Sequence, residues 1–318
     1  MSNHSPQLQP QATHVTPRIA IDWGITRLRA LLLSANGTVL ASEEHAFALL
    51  EADRDGISAC LARIVGRWPE AASNVLLAGM IGSASGWREV SQIATPATPA
   101  QLVDGAARDC IGGSAVTMLP GIRSINGFGD ADVARGEEVA AVGLASTVSA
   151  PTLFVNCPGM HAKWMLVGPA GIATFHTAMT VELATTLARG GILAAMLHGA
   201  PGDGPAFRRG LAVGRGGGAV TRHLFAIRAN VLAGRLEAAD ASSFLWGLLI
   251  GADVADAMQL HAWEGNVVSC VVAGAEPAAS LYSAALTAAG IVARRLDYEA
   301  LTAAGFTAIL SAEKRDAD

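Results

Sequence analysis

Asp22-Trp23-Gly24-Ile25-Thr26-Arg27-Leu28-Arg29 follows the apolar run Arg18-Ile19-Ala20-Ile21. The run reads as a buried strand that ends on an acidic residue. A glycine-containing turn leads into a second apolar strand at 28–34, and Asn36-Gly37 opens a third at 38–42. An Asn-Gly pair is the strongest short-range hairpin signal. In the first turn Gly24 removes the side chain that would block a phosphate, backbone N–H groups converge, and Thr26 adds a hydroxyl donor. Asp22 is then placed to hold Mg²⁺, directly or through water. The same pattern also fits a plain hairpin turn in which the aspartate satisfies its own backbone.

A second copy of the arrangement opens the other half of the chain. Phe154-Val155-Asn156-Cys157-Pro158-Gly159-Met160-His161-Ala162-Lys163-Trp164 is again strand, glycine turn, strand. Two such turns facing each other across a cleft form a phosphate clamp. Of the 22 basic residues only Lys163 and Lys314 are lysine. A lysine inside the turn therefore suggests a need for a compact ammonium; chance placement is the alternative.

Outward from these turns the two halves run in parallel. Leu61, Ile64, Val65 and Trp68 fall at helical spacing before Pro69. A buried strand at 75–78 runs into Gly79-Met80-Ile81-Gly82-Ser83, another lies at 116–119, and a helix at 137–146 follows Gly136. After Pro151 the spacing predicts strands at 152–156, 163–167 and 172–176, helices at 181–197 and 244–260, a strand at 267–273 and a helix at 278–289. The expectation is a duplicated α/β fold, halves 17–150 and 151–318, with a cleft between them. Residues 1–16, rich in Gln, Ser, Pro and His, read as a disordered lead-in rather than a targeting sequence.

Composition narrows the function classes. A net charge of −5 without a run of five basic residues disfavours nucleic acid as partner. An apolar fraction of 51% and a mean hydropathy of +0.38 raise the question of a membrane. Yet no window holds 18 uninterrupted apolar residues, and the best, 244–252, stops at Asp253. Cys60, Cys110, Cys157 and Cys270 lie far apart with no C-x-x-C pair, the pattern of reduced thiols in a cytoplasm. Neither G-x-x-x-x-G-K-[ST] nor a strand–helix G-x-G-x-x-G occurs, Gly216-Gly217-Gly218 reads as a loop, and the histidines lack H-E-x-x-H spacing.

The chain resembles the 2-dehydro-3-deoxygalactonokinase family of the sugar kinase/Hsp70/actin ATPase superfamily. The matching stretches, in order, are 22–30 (D-W-G-x-T-x-x-R-A), 78–83 with Gly86-Trp87, Pro120-Gly121, 132–138 (D-V-x-R-G-E-E), 158–164 (P-G-x-H-x-K-W), 248–254 and 274–286. The resemblance implies two ribonuclease H-like, actin-like ATPase domains, with sugar acid and catalytic carboxylate on the first and ATP on the second. It implies ATP- and Mg²⁺-dependent phosphorylation of 2-dehydro-3-deoxy-D-galactonate at its terminal hydroxyl, giving 2-dehydro-3-deoxy-6-phosphogalactonate. Phosphoryl transfer needs a metal, donors around the phosphates and a carboxylate to orient the attacking hydroxyl. Carried over residue by residue, the catalytic set is Asp22, Glu137 and Glu138, with Asp22 also the metal residue. Gly24, Thr26, Gly159, His161 and Lys163 would face the phosphates, and Gly274, Glu276 and Pro277 the adenosine. Gly79, Met80, Gly82, Ser83, Trp87 and Arg135 would face the sugar acid. Helical geometry turns consecutive residues about 100° apart, so one glutamate of the pair faces the sugar; Glu137 is preferred. The pair could instead only complement the helix N-terminus, and Trp87 and Trp164 could be core.

Several positions depart from the family pattern. Met160 and Val139-Ala140 stand where it has Thr and Thr-Gln; Arg27 and Val181 stand where it has Asn and Gly. Glu89-Val90-Ser91-Gln92 replaces its E-A-P-Y. These losses leave two rivals open: a kinase of this fold for another sugar or sugar acid, or a nucleotide- or sugar-acid-binding relic with weak turnover. A homodimer is compatible with the sequence.

Overall fold

The computed structural model describes residues 16–73, 75–260 and 269–315. The N-terminal half contains β1 (Arg18–Trp23), β2 (Arg27–Leu33), β3 (Val39–Ala46), α1 (Arg54–Val65), β4 (Val75–Gly79), β5 (Ile93–Ala94), α2 (Pro99–Asp104), β6 (Ala107–Ile111), β7 (Ser114–Met118), β8 (Ile122–Ile125), β9 (Ala131–Ala134) and α3 (Glu137–Ala145). The C-terminal half contains β10 (Thr152–Cys157), β11 (Ala162–Gly168), β12 (Gly171–Ala178), α4 (Thr180–Arg189), α5 (Pro205–Arg215), α6 (Val220–Leu232), α7 (Ala241–Leu260), β13 (Ser269–Gly274), α8 (Ala278–Ala288), β14 (Ala293–Arg295) and α9 (Tyr298–Arg315).

The duplication is explicit in the strand orders. One sheet runs β3-β2-β1-β4-β7-β6 and the other β12-β11-β10-β13-β14. In each, the first three strands form an antiparallel meander and the next two are parallel to its first strand. The registers repeat as well. Asp22 lies opposite Arg29 and Ala78, and Asn156 lies opposite Lys163 and Ala273. This is the duplicated actin-like architecture expected from the sequence. A small third sheet, β5-β8-β9, flanks the first half.

The two halves share a core. Ala20, Leu31 and Leu76 of the first sheet join Phe154, Met165 and Val271 of the second in one buried cluster with residues of α3 and α9. Helix α3 packs on β11 and β12, while α9, the last helix of the chain, packs on α3, α2 and β2. Residues 138–145 of α3 are all buried, which is why that helix shows no polar face. Two glycines set its approach to α9: a Cβ on Gly305 would lie 1.9 Å from the Val139 carbonyl oxygen, and one on Gly143 1.9 Å from that of Leu301. Val139 and Ala140 are wholly buried, Val139 against Gly305.

Some expectations need correction. The helix expected over 181–197 ends at Arg189; Gly190-Gly191 interrupts it, Gly191 at φ +80°, and a short 3₁₀ turn follows at Ala194–Met196. Helices α2, α5, α6 and α9 and strands β5, β6, β8, β9 and β14 were not anticipated. The strand expected from 267 is described from Ser269, and of the tail at 1–16 only Thr16 lies within the described residues. The stretch Ala238–Leu260 is long and apolar enough by composition to cross a membrane, but 67% of its most apolar window is buried inside the protein. It packs against α4, α5, α6 and α8, so its apolarity is spent on the core.

Candidate active site

The candidate residues collect at the carboxyl ends of the central strands, where open α/β sheets bind ligands. Asp22 and Asn156 are the penultimate residues of β1 and β10, while Gly79 and Gly274 end the neighbouring parallel strands β4 and β13. Both glycines are demanded by geometry. Gly79 has φ +87°, and a Cβ there would sit 2.6 Å from the Trp23 carbonyl oxygen and 3.2 Å from Asp22 Oδ1. Gly274 has φ +146°, and its Cβ would sit 2.2 Å from the Cys157 carbonyl oxygen.

Three carboxyl groups meet at the first of these ends. Gly136, at φ +107°, turns the chain into α3 so closely that a Cβ would come 3.3 Å from Asp22 Oδ1. Glu137 is partly exposed, and its Oε2 accepts the Arg135 backbone N–H at 3.0 Å. Glu138 is wholly buried; its Oε2 accepts the Gly136 N–H at 2.6 Å, and its Oε1 has no partner. Burial pushes the Asp22 carboxyl up to about 6, with the Glu137 charge adding to the rise and Arg29 opposing it. Burial, reinforced by Glu137, raises Glu138 to about 8. As placed, Glu138 is neutral at pH 7 and Glu137 is the reachable member of the pair. The Tyr298 hydroxyl, from the start of α9, donates to Asp22 Oδ2 at 3.4 Å.

The two glycine turns face each other. Gly24 N–H bonds the Arg27 carbonyl at 2.9 Å to close the first, and the Arg27 Nη2 reaches across to donate to the Pro158 carbonyl at 3.0 Å. Thr26 is exposed at the rim. A Cβ on Gly159 would meet nothing within 4 Å, so protein packing does not require that glycine. Met160 is 44% exposed. The second turn is braced from α4: Glu182 N–H donates to the Met160 carbonyl at 2.8 Å, and the Glu182 carboxylate lies 2.7 Å from His161 Nε2. Gly274 is pinned to the same turn through the Ala275 N–H to Cys157 carbonyl bond at 2.9 Å. Beyond it, Glu276 pairs with Arg295 at the surface, and Pro277 caps α8.

Lys163 lies in β11, within the strand expected at 163–167, and is 5% exposed, with its ammonium engaged by protein groups. Its ammonium donates to the Val133 carbonyl and to Thr177 Oγ1, both at 2.8 Å, and Thr177 in turn donates to Asp132 through N–H (2.7 Å) and hydroxyl (2.6 Å). The lysine is thus a strut joining β9 of the first half to β11 and β12 of the second. Lys163→Arg puts a bulkier planar fork into a filled site and is expected to lower stability by about 1–3 kcal/mol. Urea unfolding measures it, and an unchanged midpoint would refute the strut.

On the other wall, Met80–Gly82 forms a 3₁₀ turn closed by the Ser83 hydroxyl on the Met80 carbonyl at 2.7 Å. Trp87 is held by its backbone N–H on the Ile81 carbonyl (2.8 Å) and by the Arg54 guanidinium, 4.4 Å above its ring. Arg135 donates to the Val90 carbonyl at 2.7 Å through Nη2, while its Nη1, beside Gly82, is buried without a partner. Trp164 is wholly buried and stacks on His176 with centroids 6.0 Å apart, which makes it core.

A cavity of about 770 Å³ holds none of these residues. It lies at the opposite end of β1, lined by Arg18, Arg108 and Glu313 among others. The clustered carboxylates and facing turns mark the chemistry better than volume does, because the halves already touch through Arg27 and Pro158. Asn156 and Tyr298 were missed from the sequence. Asn156 is wholly buried, donates to the Glu137 carbonyl at 3.2 Å, and leaves its Oδ1 without a partner. Aligning the halves would have found it, as the counterpart of Asp22. For Tyr298 the signal is scarcity: the chain has only Tyr282 and Tyr298, and each hydroxyl donates to a half-buried aspartate, Asp253 or Asp22.

Comparison with known proteins places the chain among relatives of one kind. The chain is 31% identical over 294 residues to a Rhizobium meliloti protein named "Probable 2-dehydro-3-deoxygalactonokinase", covering 91% of this chain and 95% of that one. It is 33% identical over 237 residues to the 2-dehydro-3-deoxygalactonokinase of Escherichia coli, covering 74% and 79%. A crystal structure from Sinorhizobium meliloti, described provisionally under the same kinase name, superposes with a TM-score of 0.83 at 30% identity, covering 94% of this chain and 99% of that one. The profile of the family described as 2-keto-3-deoxy-galactonokinase matches residues 22–309, and the chain belongs to that family of kinases.

Proposed function

We propose that the enzyme transfers the terminal phosphoryl group of ATP to the terminal hydroxyl of 2-dehydro-3-deoxy-D-galactonate, giving ADP and 2-dehydro-3-deoxy-6-phosphogalactonate. The observation that carries the reading is the Asp22–Glu137–Glu138 carboxylate group beside two facing glycine turns. Glu137 accepts the proton of the attacking hydroxyl, as the reachable carboxylate at the helix start. Glu138, held on the Gly136 N–H, and Asn156, on the Glu137 carbonyl, fix the start of α3. The N–H groups of the Gly24 and Gly159 turns take the phosphate oxygens. Arg135, with one nitrogen unpaired beside Gly82, is the cation for the substrate carboxylate, and Trp87 walls the sugar side. Gly274, Glu276 and Pro277 border the adenosine.

Mg²⁺ fits the first strand end. Asp22 is a buried carboxylate raised to about 6 beside a second acid, a state that a divalent cation relieves. No group of three or more His, Cys, Asp or Glu among the described residues could hold a metal alone. Asp22 would therefore contribute one ligand site, directly or through water, with phosphate and water oxygens supplying the rest, as Mg²⁺ prefers. The metal would neutralise phosphate charge. In this reading residues 17–150 supply the sugar-acid side and 151–318 the nucleotide side, with α9 returning to the first half. Four free thiols, three of them buried, suit a reducing cytoplasm.

The test is ADP release with 2-dehydro-3-deoxygalactonate against a panel of sugars and sugar acids, with ATP binding measured in parallel. Saturable turnover highest with 2-dehydro-3-deoxygalactonate is expected. Faster turnover of another sugar would reassign the substrate, and ATP binding without turnover on any member would make the chain a binding relic.

A further inference from the structure

Among the described residues, Arg27 is the side chain whose hydrogen bond joins the two glycine turns directly. It is the first residue of β2, immediately after the Gly24 turn, and its side chain is 49% exposed. Its Nη1 lies 3.6 Å from Glu44 Oε1 on β3, while the other Glu44 oxygen is taken by Arg29 at 2.8 Å. Its Nη2 donates to the Pro158 carbonyl, 131 residues away, in its only hydrogen bond among the described residues. A guanidinium with five N–H donors is therefore spending one of them on a neutral carbonyl. Charge-assisted bonds to phosphate are roughly twice as strong as bonds between neutral groups, and the guanidinium fork matches phosphate oxygens in pairs. The Arg27 charge also reaches the carboxylate group, where it opposes the rise of Asp22. A phosphate chain lying between the two turns has to displace the guanidinium or bind it.

We propose that Arg27 is a phosphate-positioning residue, which exchanges the Pro158 carbonyl for the terminal phosphate of the bound nucleoside triphosphate. The inference rests on the kinase reading above. Glu44 keeps the guanidinium on the first turn during the exchange, and breaking the Pro158 bond frees the second half to settle on the nucleotide. In the transfer itself charge spreads over the equatorial oxygens of the moving phosphoryl group, where a fixed guanidinium is most useful. Arg27 stands where the family pattern has Asn, so the device belongs to this chain's own sequence.

The experiment is calorimetric titration of the full chain with a non-hydrolysable ATP analogue and with ADP, both in excess Mg²⁺, for the parent, Arg27→Ala and Arg27→Lys. The expected result is an analogue affinity about 10- to 100-fold weaker in Arg27→Ala. ADP affinity should change less than about threefold, and Arg27→Lys should recover part of the loss. Should Arg27→Ala not fold, Arg27→Lys alone still tests the point, with an analogue-specific weakening of about threefold or more expected from the lost fork. Unchanged or tighter analogue binding in the variants would reduce Arg27 to a latch and overturn the proposal. Equal losses for ADP and analogue would overturn the assignment to the terminal phosphate. A parent protein that binds neither nucleotide would overturn the kinase reading itself, a result distinct from both.

Discussion

Glu137→Gln is expected to lower kcat by about 10²- to 10⁴-fold, the range for a general base, while KM for ATP moves less than about threefold. That split marks an interaction made chiefly in the transition state. The two glutamates are consecutive residues at the start of α3, turned about 100° apart, and the fold gives them different surroundings. Glu137 is partly exposed and bonded only to the Arg135 N–H, whereas Glu138 is wholly buried on the Gly136 N–H and raised to about 8. A base must be ionised before it can accept, and burial denies that to Glu138 at neutral pH. Glu138→Gln, close in shape to a protonated glutamic acid, should therefore keep kcat within about tenfold. Steady-state kinetics of the two variants decides it. A dead Glu138→Gln beside an active Glu137→Gln would reverse the order of the pair, and two active variants would remove the base from this helix.

Asp22→Asn should cut turnover at least ~100-fold at saturating Mg²⁺-ATP, in the range of losing an electrostatic catalytic element. The same change should make the protein more stable. Asp22 titrates near 4 in an unfolded chain and at about 6 in the fold, so the native state binds the extra proton between those values. As pH rises through that window the fold must ionise a buried carboxyl, and stability falls. Asn removes that cost, worth on the order of 2–3 kcal/mol at pH 8 and vanishing near pH 4. Asp253, raised to about 7 by burial, and Glu138, at about 8, carry the same sign. The nucleotide-free parent should accordingly lose stability steadily from about pH 4 to pH 8. Urea unfolding across that range tests both claims: a variant no more stable than the parent at pH 8, or a rate unchanged by Asp22→Asn, would reject the assignment.

Much of the fold was legible because it is local. An apolar run, an acidic end and a glycine turn are short patterns, and the chain writes them twice, at 18–34 and at 152–167. Hairpins at both places, and the parallel strand that follows each, came out as expected. The failures have a common origin. Helix 181–197 keeps its apolar spacing past Gly190, and only the turn at Gly191 stops it. Helices α5 and α6 hide their registers behind glycine and arginine, and β5 is two residues long. Lys163 stands out in the sequence by scarcity, and its ammonium forms a buried strut between the halves.

The sequence by itself determined the duplicated strand–turn–strand units, the residues at their carboxyl ends and the family, since each depends on spacing within about a dozen residues. Only the tertiary structure decided which groups share an environment. Tyr298 reaches Asp22 across 276 residues, Arg27 reaches Pro158 across 131, and Glu138 becomes neutral only because α9 and the sheets bury α3. Burial and charge proximity are properties of the folded arrangement. A pair of adjacent glutamates therefore looks equivalent in the chain and acquires two different protonation states in the fold.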